Sequence, residues 1–185
     1  MTVKITIDKL GDVIKAISQL SNKDVLVGIP DSAPERTDTP ITNAQIGYVM
    51  ETGSPASNIP ARPFLVPGIA DVQAEIADRL RKGAVSALSG SASGAETALK
   101  AAGMVGQNAV RKKITDGPFA PLSPRTIAQR KNSRQTQSMR KAEKDYAKHL
   151  AAGKTEQEAQ DLAGIKPLIN TGSLRNSITY VVRKK

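Results

Sequence analysis

The chain has 185 residues, which fits one domain of ordinary size, and 39% of them are hydrophobic, enough for a thin core. It has no Cys and a single His, which excludes disulfide bonds, thiolate metal sites, His-based metal clusters and Ser–His or Cys–His nucleophile pairs. The net charge of +10 points to an acidic or polyanionic partner, depending on where the charge lies.

The first forty residues predict two short strands with a helix between them. Residues 3–7 alternate apolar and polar side chains, as in a strand with one buried face. Residues 10–20 place apolar side chains at helical spacing, and residues 24–30 form a second strand that Pro30 ends. The proline-rich residues 31–40 predict a loop.

A short helix follows this loop. Thr42 or Asn43 is suited to cap its start, and Gly53 to stop it. The proline-punctuated residues 54–63 are expected to be extended.

Two long helices fill the middle of the chain. The first is predicted over residues 68–88, the second over residues 95–114, and the segment SGSASG at 89–94 separates them. Gly103 and Gly106 lie inside the second helix, where glycine is unfavourable. We therefore expect them to mark a close packing contact.

The last third begins with a short helix at 121–132, for which Ser123 and Pro124 are suitable first residues. Residues 135–164 are rich in Lys, Glu, Gln and Ala and predict two helices with a turn at Gly153. The second of these has capping-box spacing at its start, in Thr155 and Glu158.

The C-terminal residues 177–183 alternate like a strand, after a turn in which Gly172 supplies a positive φ. Short strands near both ends with long helices between them predict an α+β fold. We expect a small antiparallel or mixed sheet of N- and C-terminal strands, packed with long helices. One domain over 1–185 is expected, with a helical insertion at 135–164.

Two parts of the chain are unlike generic globular sequence. One is NAQIGYVMETGSPASNIPARPFLVPG at 43–68, and the other is PLSPRTIAQRK at 121–131 with PLINTGSLRNSITYVV at 167–182. Together they resemble the neck and tail-completion proteins of tailed phages. In that family a helix ending in Glu–x–Gly leads to an I-P-x-R-P-F-L turn. An L-S-x-x-T-I-x-x-R helix then precedes an L-I-x-T-G-x-L-R-x-S-I strand.

The resemblance implies a structural virion protein at the head–tail joint, made in the host cytoplasm and linking the portal-side connector to the tail. It implies a homo-oligomeric ring, a hexamer or dodecamer, whose partners are portal or connector and tail proteins. Neck, tail-completion and tail-terminator roles are not distinguished. Residues 135–164 exceed the family's usual connection and look like an insertion.

Catalysis is not expected. The chain has no phosphate-binding glycine loop and no acid paired with a base at a suitable spacing, so we predict no enzyme activity, no cofactor and no catalytic or metal residue. No apolar run reaches 18 residues, and the N-terminus lacks the apolar core of a signal peptide. We therefore expect a soluble protein without membrane contact.

The loop around Arg62 is a candidate contact surface. Pro60 and Pro63 fix their own φ angles and hold the residues before them extended, so the loop is stiff and loses little entropy on docking. We expect Arg62, Pro63 and Phe64 to contact another protein. The alternative is that Arg62 pairs with Glu51 inside the monomer.

Most of the excess positive charge lies between Arg111 and Lys154, where twelve basic residues face three acidic ones. Lys141, Lys144 and Lys148 share one helical face, with Arg140 beside them. We expect this face to meet protein or solvent, with incidental contact to packaged DNA.

The alternative function is that of a cytoplasmic basic nucleic-acid-binding protein. The sequence contains no helix-turn-helix signature, zinc-ligand set or RNA-binding aromatic motif.

Overall fold

A computed structural model describes residues 10–30, 40–89, 91, 93–130 and 137–185. Within these ranges the elements follow one another as α1 (Leu10–Ser21), β1 (Lys23–Gly28), α2 (Asn43–Thr52), α3 (Leu65–Ala70), α4 (Gln73–Leu88), α5 (Gly94–Asp116), α6 (Pro124–Arg130), α7 (Gln137–Ala151), α8 (Glu156–Ala163), α9 (Ser173–Ser177) and β2 (Thr179–Lys184). Strands β1 and β2 pair antiparallel, which confirms an α+β fold with a small sheet of N- and C-terminal strands.

The chain forms two compact units. The first contains the described parts of 1–28, 68–110 and 178–185, and the second contains those of 29–67 and 111–177. The strand predicted at 3–7 and the loop predicted at 31–39 lie outside the described residues. One domain with an insertion at 135–164 stays a prediction, because compactness does not establish independent folding.

The sheet of the first unit packs against α5. Val27 and Tyr180 are cross-strand partners. A Cβ atom added at Gly106 would lie 3.0 Å from the Val27 side chain, and one added at Gly103 would overlap the Tyr180 ring. The close packing predicted for the two glycines is therefore confirmed, because a methyl group at either position meets a strand side chain.

The single helix predicted over 68–88 is wrong. It is divided into α3 and α4 by a two-residue turn in which the Val72 N–H bonds the Ile69 carbonyl at 3.1 Å. The backbone of Val72 is not helical, with φ −119° and ψ 13°. Ile69 and Ile76 both lie beside Gly106, so the apolar stripe continues across the break and conceals it in the sequence.

The helix ends predicted for the second unit are confirmed. Thr42 caps α2 in a capping box with Gln45, and Gly53 ends the helix at φ +77°. Ser123 accepts the Thr126 N–H at the start of α6. Thr155 forms the predicted capping box of α8.

The extended run predicted at 54–63 holds a 3-10 turn at Pro55–Ser57, so that prediction is only partly right. The C-terminal strand begins at Thr179, later than predicted, because Ser173–Ser177 is the short helix α9. Gly172 precedes it with φ +80°, as expected for its turn.

Candidate functional site: the Arg62 loop and the basic helix

A closed loop connects α2 to α3, and we call residues 54–64 the proline loop. Ser54 and Ile59 form an antiparallel bridge, with N–H···O distances of 2.8 and 3.0 Å. Asn58 turns the chain in the left-handed region at φ 55°. The Arg62 N–H then bonds the Met50 carbonyl at 2.6 Å, returning the loop to α2. The stiffness expected from the prolines is thus reinforced by backbone bonds.

Arg62 holds the proline loop to the start of the second motif segment. Its residue exposure is 5%. Its Nε donates to the Ala120 carbonyl and its Nη2 to the Pro121 carbonyl, each at 2.7 Å. Burial lowers the pKa of Arg62. Arg62 therefore does not offer its guanidinium to another protein, and it is not bonded to Glu51 either.

Glu51 has a different function. Its Oε2 accepts the N–H groups of Phe64 and Leu65 at 2.7 and 2.8 Å, and its Oε1 accepts that of Val66 at 3.0 Å. These N–H groups begin α3 and have no carbonyl partner in their own helix. The carboxylate thus caps α3 from a distance and fixes the far end of the proline loop.

The other two predicted contact residues are divided between core and surface. Phe64 is 2% exposed and packs near Gly47, where an added Cβ would lie 3.7 Å from its ring. Pro63 is exposed. Of the three residues expected to contact another protein, only Pro63 has the exposure that such a contact needs. The apolar Phe64-Leu65 pair after Pro63 indicates an anchor at the far end of the loop, and the burial of Phe64 agrees with that.

The second motif segment is tied together by Arg130, which the sequence placed in the basic cluster. Its guanidinium donates to the carbonyls of Lys166, Pro167 and Ile169, with distances of 3.1 Å to Lys166 and 3.2 Å to Ile169. Burial, and then the positive charge of Arg62, lower the pKa of Arg130 to about 10, while Glu143 acts in the opposite direction.

The two motif segments are also joined at their outer ends. The Asn43 Nδ2 donates to the Ser173 Oγ at 3.0 Å, which connects the start of α2 to the start of α9. Asn43 is 5% exposed, so this amide is committed to the fold. The residues bonded in this way are 58 to 130 positions apart in sequence, and all of them lie in the second unit.

The helices of the predicted insertion are attached to this unit by a buried amide. Gln160 of α8 accepts the Leu122 N–H and donates to the Leu122 carbonyl, both at 2.7 Å. Tyr146 of α7 packs with Leu122, Ile127 and Ala159 in one apolar cluster. The Tyr146 hydroxyl has no hydrogen-bond partner among the described residues, and burial raises its pKa.

The opposite side of α7 carries the basic face, which we define as Arg140, Lys141, Lys144 and Lys148. All four are exposed, as the helical spacing predicted. Other members of the sequence cluster are placed elsewhere: Arg130 lies on carbonyls, and Arg111 donates to the Asn176 carbonyl at 3.3 Å. The basic face of α7 therefore contains only four of the twelve basic residues that the sequence places between Arg111 and Lys154.

A cavity of about 480 Å³ lies in the second unit, with Ile127, Met139, Ala142, Ile165 and Ile169 among its lining residues. The Arg130 guanidinium on its wall is bonded to carbonyls, and so is not available to a ligand in its present position. Another lining cation, Arg175, donates its Nε to Thr115 Oγ1 at 3.0 Å. The cavity thus offers mainly apolar contact.

Comparison with protein-family models, curated proteins and solved structures found no match to the chain. Within the described residues, no group of three or more His, Cys, Asp or Glu side chains is placed to hold a metal ion. No helix in the same ranges combines the length and apolar character needed to cross a membrane.

Proposed function

We propose that the chain is a structural subunit of a ring at the head–tail joint of a tailed phage, in a neck or tail-completion role. Its function is mechanical: it links the portal-side connector to the tail and leaves a channel for DNA. The proposal begins from the resemblance of the segments 43–68, 121–131 and 167–182. It includes a homo-oligomer, hexameric or dodecameric, closed by heterologous contacts.

The observation that supports this proposal most is the bonding between the motif segments. Arg62 of the I-P-x-R-P-F-L turn holds the carbonyls that begin the L-S-x-x-T-I-x-x-R segment. Arg130, the last residue of that motif, holds the carbonyls of the following segment. A set of motifs that stabilise one another is expected of a family whose shared property is a fold and its assembly.

The contact surface of the ring is proposed to be an apolar rim around the proline loop, consisting of Tyr48, Pro60, Pro63 and Val66. Tyr48 is 71% exposed and Val66 69% exposed. Tyr48 lies one helical turn before Glu51, and the Glu51 carboxylate accepts the Val66 N–H, so Glu51 connects the two positions. A rim fixed in this way loses little conformational entropy when a second copy docks.

Light scattering after size-exclusion chromatography tests the ring. The wild-type chain should form a closed oligomer, and the double variant Tyr48→Ser, Val66→Ser should fall to monomer while keeping its circular dichroism spectrum. The matched control is Val85→Ser, Leu88→Ser on α4, whose side chains are each 55% exposed. This control should remain oligomeric, because the substitutions remove exposed apolar surface outside the rim.

Cryo-electron microscopy of phage particles that contain the chain tests the location. Density for a ring of this subunit between the portal-side connector and the tail is expected. A chain that is monomeric at all concentrations, with density away from the joint, would overturn the proposal.

The alternative, a cytoplasmic basic nucleic-acid-binding protein, predicts a different result. It requires tight duplex binding that persists at about 200 mM salt, where a few phosphate contacts alone become weak.

A further inference from the structure

The cations of α7 differ from those of the other long helices in their ion pairs. On α4, Arg79 pairs with Glu75 at 3.2 Å, and Lys82 with Asp78 at 2.7 Å. On α5, Lys100 pairs with Glu96 at 2.8 Å. These are the acid-then-base pairs at i, i+4 that stabilise an exposed helix. The basic charge of α4 is therefore largely neutralised within the helix, and on α5 the charge of Lys100 is neutralised in the same way.

The basic face of α7 lacks such partners. Arg140, Lys141 and Lys144 form no ion pair with any residue in the described ranges, and Lys148 has only a long contact with Asp145, at 3.4 Å. Asp145 lies one turn after Lys141, but its ion pair among the described residues is with Lys148. Lys144 lies one turn from three other cations of the face, Arg140, Lys141 and Lys148. Such like-charge neighbours destabilise a helix.

Two of these cations also interact unfavourably with the helix dipole. Arg140 and Lys141 lie near the N-terminal end of α7, where the helix dipole is positive, and the first turn contains no acidic residue. An isolated solvent-exposed helix gains nothing from Arg140 and Lys141 at this end; only Lys148, in the last turn, is placed favourably for the dipole. An anion bound along the face would relieve both the repulsion between side chains and the interaction with the dipole.

A groove already lies beside these cations. It has a volume of about 520 Å³ and is lined by Gln137, Ser138, Arg140, Lys141 and Lys144. Guanidinium, ammonium, amide and hydroxyl groups are those that proteins use on phosphate oxygens. Among the described residues that line it, none carries a carboxylate to repel an anion.

We propose that the basic face of α7 binds the phosphodiester backbone of double-stranded DNA without reading its bases. Arg140 and Lys148 are eight residues apart, so the face extends about 12 Å along the helix. Duplex DNA carries a charge about every 1.7 Å of axis, so several phosphates come within reach of the face.

An acidic protein is the less suitable partner. The exposed residues of α7 are Gln137, Ser138, Ala147, Ala151 and the four cations, so this side has no aromatic or large aliphatic anchor. Protein–protein interfaces place such anchors at their centres and are depleted in Lys. A phosphate backbone requires no apolar anchor, because counterion release supplies the affinity.

The test is fluorescence anisotropy with a labelled duplex of about 25 base pairs and mixed sequence, titrated from about 25 to about 300 mM KCl. The variant is Lys141→Gln, Lys144→Gln, Lys148→Gln. The matched control is Arg79→Gln, Arg81→Gln, Lys82→Gln on α4, which removes the same charge from exposed positions that carry ion pairs.

We expect the wild-type chain to bind with a slope of log affinity against log salt of about −3 to −4, from four phosphate contacts. The α7 variant should reduce the slope by about 2.7 units and the affinity at low salt by roughly tenfold or more. The α4 control should keep the wild-type slope. Duplexes of unrelated sequence should bind equally, since no base is read.

Three outcomes overturn the inference. One is absence of binding at low salt, and the second is an equal loss in the α7 variant and the α4 control, which would make net charge alone responsible. The third is that polyglutamate of equal charge competes as well as DNA, which would identify an acidic protein as the partner. The ring experiment is independent of these results, because the chain can bind DNA as a monomer and form a ring without binding DNA.

Discussion

Arg62 and Arg130 lie close together: burial, and after it the positive charge of Arg62, lower the pKa of Arg130 to about 10. The charge of Glu143 acts on Arg130 in the opposite direction. Together the two arginines donate to the backbone carbonyls of five residues: Ala120, Pro121, Lys166, Pro167 and Ile169. The planar fork of arginine suits this arrangement, because its donors reach several acceptors from one fixed position.

Replacement of Arg62 by lysine should therefore be destabilising although it keeps the charge. One ammonium cannot reproduce the two bonds of 2.7 Å in the guanidinium geometry, and a carbonyl would lose its partner. We expect Arg62→Lys to lower the free energy of unfolding by about 1–3 kcal/mol. Urea denaturation measures the change. Arg125→Lys, at an exposed position on α6, is the control and should change stability little.

The sequence predicts these parts of the fold unequally, for a physical reason. The caps at Thr42, Gly53 and Thr155 are predictable because a cap and its partner lie within a few residues. The burial of Arg62 and Arg130 is not predictable from the sequence, because charged side chains are usually exposed and the partners of these two are backbone carbonyls. Every residue has a carbonyl, so no residue type marks the acceptor.

The division between α3 and α4 was missed for a related reason. Periodicity reports which side chains face the core, and Ile69 and Ile76 both face Gly106 across the turn at Val72. Glu51 could have been found from its place in the Glu–x–Gly motif before a helix start. The sequence alone, however, gives no distance between the carboxylate and the N–H groups 13 to 15 residues later.

The two helical positions Gly11 and Gly103 should respond to alanine in opposite directions. A Cβ atom at Gly103 overlaps the Tyr180 ring, so Gly103→Ala should cost about 1–3 kcal/mol through overpacking. At Gly11 no atom of the described residues lies within 4 Å of the added atom, so Gly11→Ala should be neutral or stabilise by up to about 1 kcal/mol through helix propensity. Thermal unfolding of both variants checks the sign; equal losses would contradict the packing of α5 on β2.

The capping box of α8 should make its stability depend on acid pH. Hydrogen bonds from the Thr155 backbone and hydroxyl, and then the charge of Lys154, lower the pKa of Glu158 below its ordinary 4.5. A lowered carboxyl pKa contributes stability that is fully present above 4.5 and is lost as pH falls through the folded-state pKa.

Glu158→Gln keeps an acceptor oxygen but removes this titration. The difference in Tm between wild type and variant should be largest near neutral pH and shrink as pH falls to about 3. Glu156→Gln, in the same helical turn, is the control for loss of a charge near the helix start. A difference that stays constant from neutral to acid pH would show that the Glu158 charge does not contribute.

Lys144→Gln should separate stability from binding on α7. The substitution removes the repulsion between Lys144 and three cations, namely Arg140, Lys141 and Lys148. Glutamine has nearly the helix propensity of lysine, so propensity should change little. Each of the three pairs removed should return about 0.2–0.5 kcal/mol, so the free energy of unfolding should rise by about 0.6–1.5 kcal/mol at low salt. The rise should shrink in high salt, because screening already weakens the repulsion there.

The same variant should bind duplex DNA more weakly, with a salt slope reduced by about one unit. Lys82→Gln is the control on α4; it breaks the pair with Asp78 and should lower stability slightly while leaving binding unchanged. If Lys144→Gln destabilised the chain instead, the three neighbours would not repel it. The basic face would then have lost the main physical reason for assigning it an anionic partner.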